Sequence, residues 1–292
     1  LNEDESTFDP QLFTDINRNS LKNEIWEDIK PVHAEKKTRP VLSGLIWKVA
    51  ASFIIICFAG YFISRVYQTS QKDKSLAVSQ IYKELSIPKG RKMQITLTDG
   101  TIISLNGDTR FKYPLEFNGH TRVVYLSGEA HFKVAKDPSK PFIIHTAKTD
   151  TRVLGTVFNI KAYPGETATI LTVEEGRVQF SLKADPAKQV ILTANQQGII
   201  TGGQTLDQQQ VYAGGYTAWK DGKLIFNNLS LNEIVPLLNR WYNVRVTIGN
   251  HKLMKERFTG TYQRASLNAI GQDISQALHC QFKLDGQSLI FY

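Results

Sequence analysis

Cysteine is almost missing from this chain. Only Cys57 and Cys280 occur in 292 residues. One lies in an apolar run and the other near the far end, so no disulfide framework exists and the redox compartment stays undetermined. There is no C-x-x-C pair. The six histidines (His33, His120, His131, His145, His251 and His279) show no H-E-x-x-H or other metal-ligand spacing. A G-x-S-x-G elbow, a P-loop and a G-x-G-x-x-G turn are all lacking. Glu174 and Glu175 are neighbours, and neighbouring carboxylates on an extended chain point to opposite faces, which makes a poor acid–base pair. Without a reacting constellation, neither catalysis nor a cofactor or metal is expected. The histidines read as surface or half-buried strand residues. Gly100, Gly128, Gly155 and Gly176 read as turn or close-packing glycines. Runs of like charge are also lacking. Lysine and arginine outnumber the acids 35 to 27, giving +8, but they are scattered, so no direct nucleic-acid surface is indicated.

What the chain does have is one long apolar stretch, Leu45 to about Arg65, with Val49–Ile63 uninterrupted. A bilayer core about 30 Å thick needs about 20 helical residues. Leu45, Ile46 and Trp47 supply the missing length if Lys48 snorkels to the headgroups, and Trp47, Tyr61 and Tyr67 suit the two interfaces. The reading is a single transmembrane helix at 45–65. A buried core helix is the bland alternative. A cleaved signal peptide fits worse, because 44 residues precede the run and no Ala-x-Ala-like site follows it. Lys30, Lys36, Lys37, Arg39 and Lys48 against Arg65, Lys72 and Lys74 narrowly favour the amino terminus inside.

Residues 1–40 begin with Leu1, so the start is expected to be trimmed. Leu12, Phe13 and Ile16 recur at helical spacing, and after a break Ser20 caps a second helix carrying Leu21, Ile25 and Trp26. So short a segment cannot bury its own stripe, which points to docking in a partner's groove, to a small bundle, or to an interfacial helix. Residues 68–80 are polar and read as a tether.

From 81 to 201 the pattern has period two, with Gly, Pro or Asp every eight to twelve residues. Thr98-Asp99-Gly100 and Ser127-Gly128-Glu129 read as hairpin turns. An all-β sandwich, barrel or solenoid-like stack is expected, without helices. The Gly- and Gln-rich stretch 202–215 reads as a linker. Residues 216–292 read as a small α+β domain. Ser230 caps a helix with Leu231, Ile234, Val235, Leu238 and Trp241 on one face and Pro236 inside it. Ser266 opens a second helix. Asp221-Gly222-Lys-Leu-Ile-Phe echoes Asp285-Gly286-Gln-Ser-Leu-Ile-Phe, which suits two β-α-β units packed together.

A family resemblance runs through these blocks in order: Leu97-Thr-Asp-Gly-Thr, Tyr113-Pro, Arg122-Val-Val-Tyr-Leu-Ser-Gly-Glu-Ala-His-Phe-Lys-Val, Lys140-Pro-Phe, Val153-Leu-Gly-Thr-Val-Phe-Asn-Ile-Lys-Ala-Tyr and Val173-Glu-Glu-Gly-Arg-Val. The chain resembles the FecR family of transmembrane anti-sigma regulators. Ala218-Trp-Lys-Asp-Gly, Arg240-Trp-Tyr-Asn-Val and Phe258-Thr-Gly-Thr-Tyr resemble the extra domain of the Bacteroidetes branch, itself similar to the short N-terminal domain of secretins and TonB-dependent transducers. The resemblance implies an inner-membrane protein with a cytoplasmic amino terminus and periplasmic C-terminal domains. Residues 1–40 would hold an extracytoplasmic-function sigma factor, the periplasmic part would sense an outer-membrane TonB-dependent transducer, and envelope proteases would release the sigma factor. The family's cytoplasmic region is usually longer than 40 residues, so the sigma-binding unit here is either reduced or incomplete. The competing reading is an envelope β-rich module that binds glycan or protein without a transcriptional role.

Overall fold

In the computed structural model the chain divides into two units, Leu1–Leu76 and Ala77–Tyr292. The structure describes Phe58, Gly60, Tyr61 and Phe62, and residues 81–292 apart from Gly203. In the first unit those four residues are helical and exposed. Among the described residues no helix is long and apolar enough to cross a membrane. The expected span at 45–65 lies outside them apart from those four, as do the 1–40 segment and the 68–80 tether.

The second unit opens with thirteen strands: β1 (Tyr82–Ile87), β2 (Met93–Thr96), β3 (Ile102–Leu105), β4 (Thr109–Pro114), β5 (Arg122–Lys133), β6 (Phe142–His145), β7 (Thr149–Val153), β8 (Val157–Ala162), β9 (Ala168–Glu175), β10 (Arg177–Leu182), β11 (Gln189–Thr193), β12 (Gln196–Thr201) and β13 (Thr205–Gln210). They form a sandwich. Sheet A runs β1-β4-β5-β6-β7-β10-β11 and sheet B runs β2-β3-β5-β8-β9-β12-β13. The alternation that suggested strands decides their facing. In β5, Val124 and Leu126 point inward from sheet A, and Ala130 and Phe132 inward from sheet B. Phe111, Phe132, Phe142, Phe158 and Phe180 fill the space between the sheets, all at 0% exposure.

Two expectations fail here. Ser127-Gly128-Glu129 is not a hairpin turn, because β5 is one twelve-residue strand. Its first half pairs with β4 and β6, and its second half pairs with β3 and β8. Gly128 is the crossing point, with φ at 130°, and a Cβ there would sit 2.5 Å from Thr109 Oγ1. A glycine in a strand can mark a bend with close backbone approach as readily as a turn. The 202–215 stretch is not a plain linker either. Thr205–Gln210 pairs residue for residue with β12 as the edge of sheet B. Its glutamines are exposed and carry no apolar alternation, so no strand signal was written.

Residues 211–221 then cross the outer face of sheet B as a strap, with a helical turn at Gly214–Thr217 and a 3-10 turn at Ala218–Asp221. Beyond it lies the carboxy-terminal module: β14 (Lys223–Ser230), α1 (Leu231–Tyr242), β15 (Arg245–Ile248), β16 (Arg257–Gln263), α2 (Leu267–Ala277), β17 (Phe282–Asp285) and β18 (Ser288–Phe291). Ser230 caps α1 in a capping box with Glu233, and Ser266 caps α2. Leu231, Ile234 and Leu238 of α1 and Ile270 and Ile274 of α2 enter one core. The helix runs on through Pro236. The carbonyl that loses its donor belongs to Asn232, which is exposed to solvent. The two β-α-β runs are interlocked rather than separately closed. Their first strands pair with each other (β14 with β16), and β15 pairs in parallel with β18 of the second run, β17 closing the hairpin.

Candidate functional site at the seam between sandwich and module

The outer face of sheet B carries a polar row in register across six strands: Ser104, His131, Asn159, Thr172, Gln197 and Gln209. The outer face of a sheet ordinarily meets water, yet His131, Asn159, Thr172 and Gln197 are all buried. The strap lies over this face, with Trp219 on Asn159. Every buried polar group must then find a partner within the protein.

Glu129 is the centre of this layer. It is 8% exposed and accepts from Asn106 Nδ2 at 2.8 Å and Asn159 Nδ2 at 3.0 Å. Both amides are oriented independently, since Gly107 N–H donates to Asn106 Oδ1 and Trp219 Nε1–H donates to Asn159 Oδ1. Burial raises the pKa of Glu129, against the opposing pull of Lys161, the two amides and Arg240. Trp219, 7% exposed, is the strap's anchor. A second chain of amides runs from Gln209 Nε2 to Gln197 Oε1 and from Gln197 Nε2 to Thr172 Oγ1, both 2.8 Å.

The end of α1 brings three more groups. Arg240 stacks its guanidinium 3.9 Å from the Tyr163 ring centroid and donates to Glu166 Oε1 at 2.7 Å. Lys161 holds the other oxygen of Glu166 at 3.0 Å. The Arg240 carbonyl, at the negative end of the helix, accepts from Gly90 N–H at 2.7 Å. Tyr163 donates to the Gly107 carbonyl at 2.9 Å, and burial followed by the charge of Glu129 raises its pKa. Lys92, just before β2, bridges both halves of the seam. Its Nζ donates to the Trp219 carbonyl at 2.7 Å and lies 3.5 Å from the Trp241 ring centroid. Burial pulls the Lys92 pKa down to about 8, against the attraction of Glu129 and Asp221. An open cleft of about 440 Å³ lies alongside, between Lys89 and the Asn243–Arg245 turn.

The layer also holds a hydroxyl, a carboxylate and an imidazole. His131 Nε2 is 3.2 Å from Glu174 Oε2, and the Thr217 side chain adjoins the same carboxylate while its hydroxyl donates to the Ala213 carbonyl at 3.4 Å. A nucleophilic triad needs the hydroxyl on the imidazole, with the carboxylate behind it. Here the carboxylate stands in the middle, so Thr217 has no base. Burial lowers the His131 pKa, holding it neutral. Burial would raise Glu174, but the adjoining Thr217 and His131 side chains and nearby charges outweigh it and lower the pKa. Among the described residues no three His, Cys, Asp or Glu side chains converge in a metal-holding group. This is docking chemistry, with each donor matched to an acceptor.

The sequence-predicted site residues Leu12, Phe13, Ile16, Leu21, Ile25 and Trp26 lie outside the described residues. The seam residues were not singled out from sequence. The available signal was a tryptophan in each of two polar blocks, Ala218-Trp-Lys-Asp-Gly and Arg240-Trp-Tyr-Asn-Val.

The fold is a β-sandwich keyed to an α+β module by a buried polar layer. Known proteins share it. The sequence model of the FecR protein matches residues 83–179, and that of the FecR C-terminal domain matches 223–291. Two crystal structures of a candidate anti-sigma factor from Parabacteroides distasonis are similar to the chain at 30% identity. One, with a TM-score of 0.67, covers 72% of this chain and 98% of its own. The other, with a TM-score of 0.68, covers 73% and 99%. No curated protein matches. The chain belongs to the FecR family of anti-sigma factors, a family of sigma-factor regulators.

Proposed function

We propose that the chain is an inner-membrane anti-sigma regulator that relays a signal from an outer-membrane TonB-dependent transducer to an extracytoplasmic-function sigma factor. The observation that carries this reading is the pairing of FecR and FecR C-terminal domains in one unit matching nearly the whole P. distasonis chain. Residues 45–65 form the single span, with the amino terminus cytoplasmic and the later domains periplasmic. Phe58, Tyr61 and Phe62, helical and 60–70% exposed, support apolar side chains facing outward there. Leu12, Phe13, Ile16, Leu21, Ile25 and Trp26 in 1–40 hold the sigma factor as an amphipathic stripe, and envelope proteases free it. The transducer docks on the carboxy-terminal module, where β15 and β17 end their three-stranded sheet and offer edges for strand addition.

The test is a pair of topology reporters, after Lys37 and after Thr201, combined with co-purification of the sigma factor. Opposite compartments, and co-purification lost on deleting residues 8–29, are the expected outcome. A shared compartment, or a sigma factor retained after the deletion, would refute the reading.

A second reading, an envelope module binding glycan or protein, is favoured by the open face of sheet A. Tyr82 and Tyr125 stand 6.0 Å apart there, Tyr125 and His145 5.4 Å, with Lys112 over both tyrosines. Such rings can stack on a partner. Loss of envelope retention on Tyr125→Ala, with the sigma response intact, would support it.

A further inference from the structure

The sandwich and the module each have a hydrophobic core, and the two cores share no side chain. Motion between them therefore need not open either core. The seam itself has two unlike halves. The strap half is anchored deep: Trp219 is buried on Asn159, Thr217 is buried at Glu174, and Val211 and Ala213 N–H donate to the Asn195 carbonyl and Oδ1. The α1 half is held by groups at its rim. These are the Arg240–Glu166 pair, with side chains 11% and 23% exposed, the Gly90–Arg240 hydrogen bond, and Lys92 against Trp241. Between strap and module stands Gly222, in the left-handed region at φ 79°, with only the Gln263 amide within 4 Å of where a Cβ would sit. A glycine at a segment end absorbs backbone rotation readily.

We infer that the end of α1 is a releasable latch and Gly222 its hinge, so that the module swings off the sandwich while the strap stays in place. Polar contacts set the docked geometry without the adhesion of a shared apolar core, and partly solvated ion pairs are exchanged for water at little cost. Within the proposed relay, which supplies the pull, a partner gripping the module turns it about Gly222. Arg240, Trp241 and Lys92 let go, and the strap keeps Glu129 and Asn159 covered. The signal reaches the sandwich as loss of the α1 contacts at Gly90, Tyr163 and Glu166.

The test uses the full chain and reads hydrogen exchange, which involves neither sigma factor nor transducer. Its failure sinks the latch alone, whereas failed co-purification sinks the relay alone. Arg240→Ala should speed exchange about tenfold at residues 89–92 and 240–244, leaving β5 and β8 unchanged. Faster exchange in β5 and β8 as well, or no change anywhere, would overturn the latch. The lock is Gly90→Cys with Asn243→Cys, in a Cys57→Ser, Cys280→Ser background. The Asn243 Cβ lies 3.3 Å from a Cβ built on Gly90, a few tenths of an ångström inside the usual disulfide spacing, so the two Cβ atoms must part slightly and the cysteine side chain replacing Gly90 must accept φ 73°. Oxidation should slow exchange at the same residues, and reduction should restore it. Equal rates in both forms, or failure of the bridge to form, would equally count against it.

Discussion

The two outer faces of the sandwich carry matching rows in opposite circumstances. Sheet B's row, from Ser104 through His131, Asn159, Thr172 and Gln197 to Gln209, is polar and largely buried. Sheet A's row is Glu84, Lys112, Tyr125, His145, Asp150, Ser181 and Gln189. It holds an aromatic in the open, Tyr125 at 40% exposure. Residue type alone would leave both rows in water, since Asn, Gln, Ser and Thr are mostly exposed. The difference teaches that sheet B's face is built around its cover. Trp219 completes the hydrogen bonding of Asn159, and the face is not an ordinary surface that happens to be masked.

The comparison can be broken most forcefully at Trp219. Trp219→Ala removes the anchor and strands the Asn159 carbonyl, and should cost about 3–5 kcal/mol in urea unfolding of the second unit. A loss under about 1 kcal/mol would mean the strap is an ornament. Next comes Glu129→Ala, which leaves the Asn106 and Asn159 amides facing no acceptor and should cost about 3 kcal/mol. Glu129→Gln should cost less, because only one amide loses its acceptor. A third test sharpens the electrostatics. The Lys92 pKa is lower folded than unfolded, so the folded state sheds its proton first as pH rises. Seam stability should therefore be least below about 8 and climb between about 8 and the ordinary lysine value of 10.5, and Lys92→Met should flatten that climb. The check is chemical denaturation across that window with and without the substitution. On the other face, Tyr125→Ala should cost about 1 kcal/mol or less, because the ring is already partly in water. A larger loss would show that sheet A's row also supports the fold.

Much of the fold was legible. Period-two segments marked the strands, and Thr98-Asp99-Gly100 is a true hairpin, with Asp99 taking Thr101 N–H and hydroxyl. Ser230 and Ser266 announced both helices through their caps. What failed did so for local reasons. Gly128 next to Ser and Glu carries the same local signal whether the chain turns or merely bends, and only the approach of Thr109 decides. The β13 strand is all but silent because only Leu206 of this edge strand packs against the core, which leaves no alternation to read. The seam was illegible because its partners are far apart in sequence: Trp219 with Asn159, Lys92 with Trp219, Arg240 with Glu166. Pairing across such distances is a property of the folded arrangement. A one-dimensional pattern records only that each residue is polar or aromatic.

The strand shared by both sheets has one last consequence. Because β5 is hydrogen-bonded into sheet A with one half and into sheet B with the other, neither sheet can come apart while its companion persists. The sandwich is expected to melt as a whole or hold as a whole, like cloth woven on one common thread. A body with no partial way of yielding passes on a tug undiminished, and any give has to come from the joints at its margins.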